Sequence, residues 1–258
     1  MSISGNKSIV VRQAFAEDLD SELLMIKKAI LRYPFVSIDT EFPGTIFKPS
    51  KQVIREGNPI INYHYMKSNV DALQIIQLGL SLSDARGNLP DFDSPFSYVW
   101  EFNFRDFNIN RDRYASDSIQ LLKHRGIDFE KNKEKGIDSK DFPKKFWDYG
   151  LLFNCCDSDS KSTAFASSLI YASIGLFLRL QHFDLKHTFK LLGLLGGLEK
   201  IAQTLNVTRI TGSSHQAGSN SLLTLRCFMK LKSENVFESK WNKTNQMLLP
   251  PLALCGLV

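Results

Sequence analysis

The sequence predicts one α/β domain, and three observations carry that reading. An amphipathic helix opens the chain, three β-rich segments follow with short connections, and the periodicity then turns helical. In the opening segment, Gln13 to Arg32, Leu19, Leu23, Ile26 and Ile30 recur at helical spacing behind an acidic first turn, and Pro34 stops the helix. Phe35 to Phe42 reads as a strand closed by the Pro43-Gly44 turn. Leu73 to Leu82 and Tyr98 to Phe104 are also β-rich and bounded by turn residues, so the three strands predict an antiparallel meander. From Arg113 the segments YASDSIQLLKHRG and DSKDFPKKFWDYGLL read as helices flanking the sheet. Thr163 to Leu178 reads as a buried strand running into a buried helix, and Ser219 to Leu231 as a further helix with Ser219 near its N-cap.

Composition excludes several classes. The chain has 258 residues, 43% of them hydrophobic and 23% charged, which is enough apolar surface for a substantial core and excludes disorder, collagen and disulfide scaffolds. The net charge of +5 sits entirely in residues 181–258, with 9 Lys/Arg against 4 Asp/Glu, and allows a phosphate-bearing partner without requiring one. Cys155, Cys156, Cys227 and Cys255 form no CxxC pair, so neither a zinc site nor a disulfide framework is indicated and a reducing compartment fits. The N-terminus lacks the apolar core of a signal peptide. Thr163 to Leu178 is too short and too rich in Ser and Thr for a membrane span, so no membrane partner is expected.

Two segments could carry chemistry. In FVSIDTEFPG, strand alternation turns Asp39 and Glu41 to one face while Val36 and Ile38 enter the other. Two carboxylates on one face of an apolar strand are costly to bury without a positive charge between them, and a hard divalent cation would supply it. The alternative is a solvated strand end. In SSHQAGSNSLLT, His215 stands at a loop-to-helix junction five positions before a polar residue, where it could deprotonate water while that residue grips a metal. A hydrogen-bonded structural histidine is the alternative.

Together, DTEFPG (39–44), NVDALQIIQLGLSL (69–82), WEFNF (100–104), YASDSIQLL (114–122), FDLKH (183–187), GGL (196–198) and HQAGSNSLLT (215–224) closely resemble the CAF1/Pop2 deadenylases. These are nuclease subunits of the CCR4–NOT complex, and the divergent style resembles a plant paralogue. The resemblance runs over about residues 11–237, leaving 1–10 and 238–258 as divergent tails. It implies an RNase H-like fold of the DEDD exonuclease superfamily, Mg²⁺ or Mn²⁺ dependence, CCR4–NOT partners, and a place in nucleus and cytoplasm. It also implies two-metal removal of mRNA poly(A) from its 3′ end. Asp39 and Glu41 match the first catalytic motif and His215 the residue that helps take the water proton. Phe42 is a candidate for stacking on the RNA or contacting a sugar, with a core position as the alternative.

The chain departs from the family at two of its four acids. Asn220 stands at the fourth, where its amide oxygen can still coordinate a cation but the charge is lost. The gap-free counterpart of the second motif is AFASSLIYASI (164–174), which puts Ala166 at the motif's histidine and Ile170 at its aspartate. If that register is wrong, Asp157, Asp159 or Asp184 could supply the acid, although Asp184 already matches FDLKH. Between Leu178 and Phe183 only residues 179–182 stand where the family has a helix and loop. Two divalent ions bring a charge that two carboxylates do not neutralise, so weakened metal occupancy is expected. Two functions remain open: a divergent poly(A)-specific 3′–5′ exoribonuclease, and an impaired or inactive paralogue that serves as an RNA-binding or scaffold subunit.

Overall fold

The computed structural model describes residues 7–56, 58–151, 182–184, 192–234 and 254–257. The sheet order is β1-β4-β3-β2-β6-β5, with β1 Ser8–Ala14, β2 Phe35–Glu41, β3 Gln77–Ser83, β4 Phe96–Asn103, β5 His182–Asp184 and β6 Leu254–Leu257. The meander expected from the sequence is present: β2 pairs antiparallel with β3, and β3 with β4. Parallel pairings extend it, β1 on β4, β6 on β2 and β5 on β6. The helices are α1 Leu19–Ile30, α2 Lys51–Glu56, α3 Pro59–Ala72, α4 Ser116–His124, α5 Phe129–Lys135, α6 Asp141–Asp148, α7 Leu198–Thr204 and α8 Ala217–Ser233.

Several boundaries differ from the sequence reading. Gln13 and Ala14 belong to β1, and α1 begins only at Leu19. A turn separates them, in which the Asp18 carboxylate accepts from the Phe15 N–H at 3.2 Å. Residues 73–76 precede β3, and of these Ile76 donates to the Glu41 carbonyl at 2.9 Å and accepts from the Phe104 N–H at 3.0 Å. They follow α3, whose start is fixed by the Asn58 side chain accepting from the Ile60 and Ile61 N–H groups and by Pro59 at its first position.

Strand alternation divides the central sheet into an apolar and a polar face. Val36, Ile38, Leu78, Leu80, Leu82, Trp100, Phe102 and Phe104 point one way and form the main core with Leu23 and Ile26 of α1 and Phe142 and Phe146 of α6. Asp39, Glu41, Gln77, Ser81, Glu101 and Asn103 occupy alternate positions and are nonetheless buried. What covers them is α8. Gly79 makes this possible, because a Cβ there would fall 1.9 Å from the Ala217 carbonyl oxygen. The helix backbone therefore rests directly on β3, and the Ser81 and Ser221 hydroxyls bond at 2.8 Å beneath it. A second apolar cluster, with Ile201, Leu205, Leu223, Phe228 and Leu231, joins α7 to the outer side of α8.

Candidate active site

The register places Asp39 opposite Gly79 and Gly79 opposite Glu101, while Glu41 lies opposite Gln77 and Gln77 opposite Asn103. With no side chain at Gly79, a lane stays open between Asp39 and Glu101, and the first turn of α8 settles into it. The Glu101 carboxylate accepts from the Gly218 N–H at 2.9 Å and from the Gln77 side-chain amide at 3.1 Å. The Gln77 oxygen in turn accepts from the Ala217 N–H at 3.4 Å. Thus the sheet caps two N–H groups that the helix's own N-cap residue, Gln216, leaves open. Ser219, which the sequence places near the N-cap, is the third residue of the helix. It lies inside the first turn, donates to the Thr211 carbonyl at 2.6 Å and accepts from Arg209.

Asn220 is brought onto the acidic pair. Its amide nitrogen donates to Asp39 at 3.2 Å and to Glu41 at 3.0 Å, while its amide oxygen accepts from the Arg209 guanidinium at 2.9 Å. These partners fix the orientation, since only the nitrogen end can donate to two carboxylates and only the oxygen end can accept from arginine. The oxygen expected to face a cation is therefore turned away from the acids. Arg209 is itself anchored by Glu199 at 2.6 Å and by the Ser213 carbonyl at 3.3 Å.

Burial raises Asp39 well above the ordinary carboxylate range, and repulsion from Glu41 adds to this; the Asn220 amide and Arg209 act in the opposite direction. Glu41 is pushed up to about 7, first by burial and then by Glu101. His215 lies beside Glu41, its Nδ1 3.9 Å from Glu41 Oε2, with the backbone held at a left-handed φ of 63°. Partial burial and repulsion from Arg125 and Arg209 lower its pKa, so the imidazole is kept neutral. Phe42 is half-buried against the main core, which is the core position left open by the sequence.

Among the described residues, no three His, Cys, Asp or Glu side chains come together in a way that could hold a metal ion. The described part of the site, two carboxylates with an amide nitrogen between them and an arginine behind it, does not by itself fit a pair of divalent cations. Ala166, Ile170, Asp157, Asp159 and residues 179–181 of the shortened connection lie outside the described residues, and His182 and Asp184 are described only as backbone in β5. Arg209, Gln77 and Glu101 were not singled out from the sequence. Glu101 and Asn103 carried a signal, the polar alternation with Trp100, Phe102 and Phe104, whereas Arg209 carried none.

A family model described as CAF1 family ribonuclease matches residues 15–145. CCR4-associated factor 1 homolog 7 of Arabidopsis thaliana is 38% identical over 262 residues, covering 93% of both chains. The poly(A) ribonuclease pop2 of Schizosaccharomyces pombe is 36% identical over 242 residues, covering 86% of this chain and 69% of that protein. The solved structure of S. pombe Pop2p with Mg²⁺ and Mn²⁺ bound superposes with a TM-score of 0.71 at 34% identity, over 88% of this chain and 93% of that one. The α/β architecture is thus the RNase H-like fold expected from the motifs. By family model, by sequence and by fold alike, the chain belongs to the CAF1 family ribonucleases.

Proposed function

We propose that this chain is a CAF1-type subunit of an mRNA deadenylation complex that engages the 3′ end of poly(A) RNA but is strongly impaired in hydrolysing it. The observation that carries this reading is the Asn220 amide, which donates to both Asp39 and Glu41 where the family pattern has a fourth carboxylate. Poly(A) as substrate is carried over from the pop2 relative, and association with a CCR4-containing complex from the Arabidopsis one. The family's nuclear and cytoplasmic setting comes with that reading.

Residual slow hydrolysis is the second reading. It is supported by Asp39 and Glu41 on one face of β2 and by a neutral His215 3.9 Å from Glu41, groups of the kind that polarise a water and accept its proton. In that case Mg²⁺ or Mn²⁺ would bind weakly at Asp39 and Glu41.

The test is shortening of a 5′-labelled oligo(A) in Mg²⁺ or Mn²⁺, with Asp39→Ala as the blank. The proposal expects no shortening above the blank together with retained binding of oligo(A). Shortening at a rate typical of nucleases, on the order of 1 s⁻¹ or faster, would overturn it.

A further inference from the structure

The two sides of the first turn of α8 are held differently. On the β4 side, backbone N–H groups meet Glu101 and Gln77. On the β2 side, among the described residues, the hydrogen-bonded connection runs through one side chain, Asn220, and through it to Arg209. We propose that the Asn220–Arg209 couple does in this chain what a bound cation would do, latching α8 onto the buried carboxylates of β2 so that the contact between α8 and β2 forms without divalent metal.

Asp39 and Glu41 are acceptors on a buried face and need positive charge or donors opposite them. The Asn220 NH₂ supplies a donor to each, and the Arg209 guanidinium supplies positive charge one group further back. For a cation to take their place, the amide would have to turn end for end and offer its oxygen. That turn breaks both bonds to the carboxylates. It also sets the amide N–H₂ against the Arg209 N–H, donor against donor. Arg209 cannot easily retreat, because Glu199, Ser213 and Ser219 fix the rest of its fork. Metal entry therefore competes with the latch, and an aspartate at position 220 would reverse the preference by offering Arg209 and the metal the same acceptor.

This inference rests on the weakened-metal reading of the site, but its test uses no RNA. The full chain, its Asn220→Asp variant and its Arg209→Met variant are melted in EDTA and in millimolar MnCl₂, and Mn²⁺ binding to each is measured by titration calorimetry. The wild-type midpoint is expected to be the same in both solutions. Asn220→Asp should melt at least about 5 °C lower in EDTA and recover in Mn²⁺. Arg209→Met should bind Mn²⁺ at least about tenfold more tightly than wild type, since a neighbouring positive charge has been removed. A wild-type midpoint that rises in Mn²⁺ as far as that of Asn220→Asp, or saturable wild-type binding of Mn²⁺ at micromolar concentration, overturns the latch. If neither variant folds, the wild-type titration alone decides. Oligo(A) binding measured separately in EDTA reports on the functional reading, so failure of one is distinguishable from failure of the other.

Discussion

Gly79 in β3 and Ala217 at the start of α8 are in backbone contact: a Cβ on the glycine would stand 1.9 Å from the alanine carbonyl oxygen and 2.6 Å from the Gly218 nitrogen. Both obstacles are main chain, so no rotamer change relieves them. Gly79→Ala is expected to lift the first turn of α8 from the sheet and to cost about 3 kcal/mol or more. Denaturant unfolding measures the loss. Loss of oligo(A) binding at temperatures where the variant is still folded would show that the turn, and not global stability, had moved.

Glu22 in α1 is buried and accepts from Arg12 at 2.6 and 2.5 Å and from the Trp100 indole at 2.9 Å, tying α1 to β1 and β4. Removing it strands a guanidinium and a buried indole N–H. Glu22→Ala is expected to destabilise by about 3 kcal/mol, and Glu22→Gln by less because it keeps an acceptor. Chemical denaturation of both variants, together with Arg12→Ala, tests whether the three groups act as one unit. Additive losses in the Glu22→Ala/Arg12→Ala double variant would show that they do not.

Stability should fall as pH rises through the carboxylate range. Glu41 titrates near 7 when folded against an ordinary value of 4.5, so between these values the folded chain binds more protons than the unfolded one. The slope of unfolding free energy with pH is then negative, and the full effect of Glu41 is about 3 kcal/mol. Asp39 and Glu101, both raised by burial, act in the same direction. Unfolding midpoints recorded from pH 4.5 to 7.5 check this, with Glu41→Gln flattening the profile. A wild-type profile that rises over that window would contradict the electrostatics of the site.

The paired substitution Ile170→Asp with Asn220→Asp should restore Mn²⁺ binding if AFASSLIYASI is aligned without a gap. A dissociation constant at least about tenfold lower than that of Asn220→Asp alone is expected, as each added carboxylate supplies both a ligand and a charge. Equal affinities in the two variants would place the missing acid elsewhere in the sequence.

How much of this was legible in the sequence depended on whether a feature was local. The period-2 alternation of FVSIDTE put Asp39 and Glu41 on one face, and the structure has them there, 6% and 8% exposed beneath α8. The motif residues His215 and Asn220 were legible as residues, but the direction of the Asn220 amide was not. That direction is set by Arg209, which reaches it from a loop eleven positions earlier with no periodic signature. Ser219 lies near the N-cap as its position suggests, but its hydroxyl serves Arg209 and Thr211 and the sheet does the capping, which only the tertiary structure reveals. In α3, Asn58-Pro59 was an available start signal, but PIINYHYMKSNVDA shows no clear apolar stripe and the helix was overlooked. β1 was overlooked because Ser8–Ala14 is an edge strand with mixed exposure, and its pairing partner β4 lies almost ninety residues away.

The amide of Asn220 closes the acidic pair. Diffraction from crystals of the wild-type chain soaked in Mn²⁺, recorded with the anomalous signal of manganese, tests it most directly. The account predicts no anomalous peak between Asp39 and Glu41 and an Asn220 nitrogen still within hydrogen-bond distance of both. An ordered manganese ion between the two carboxylates, with Asn220 turned or displaced from Arg209, would contradict it.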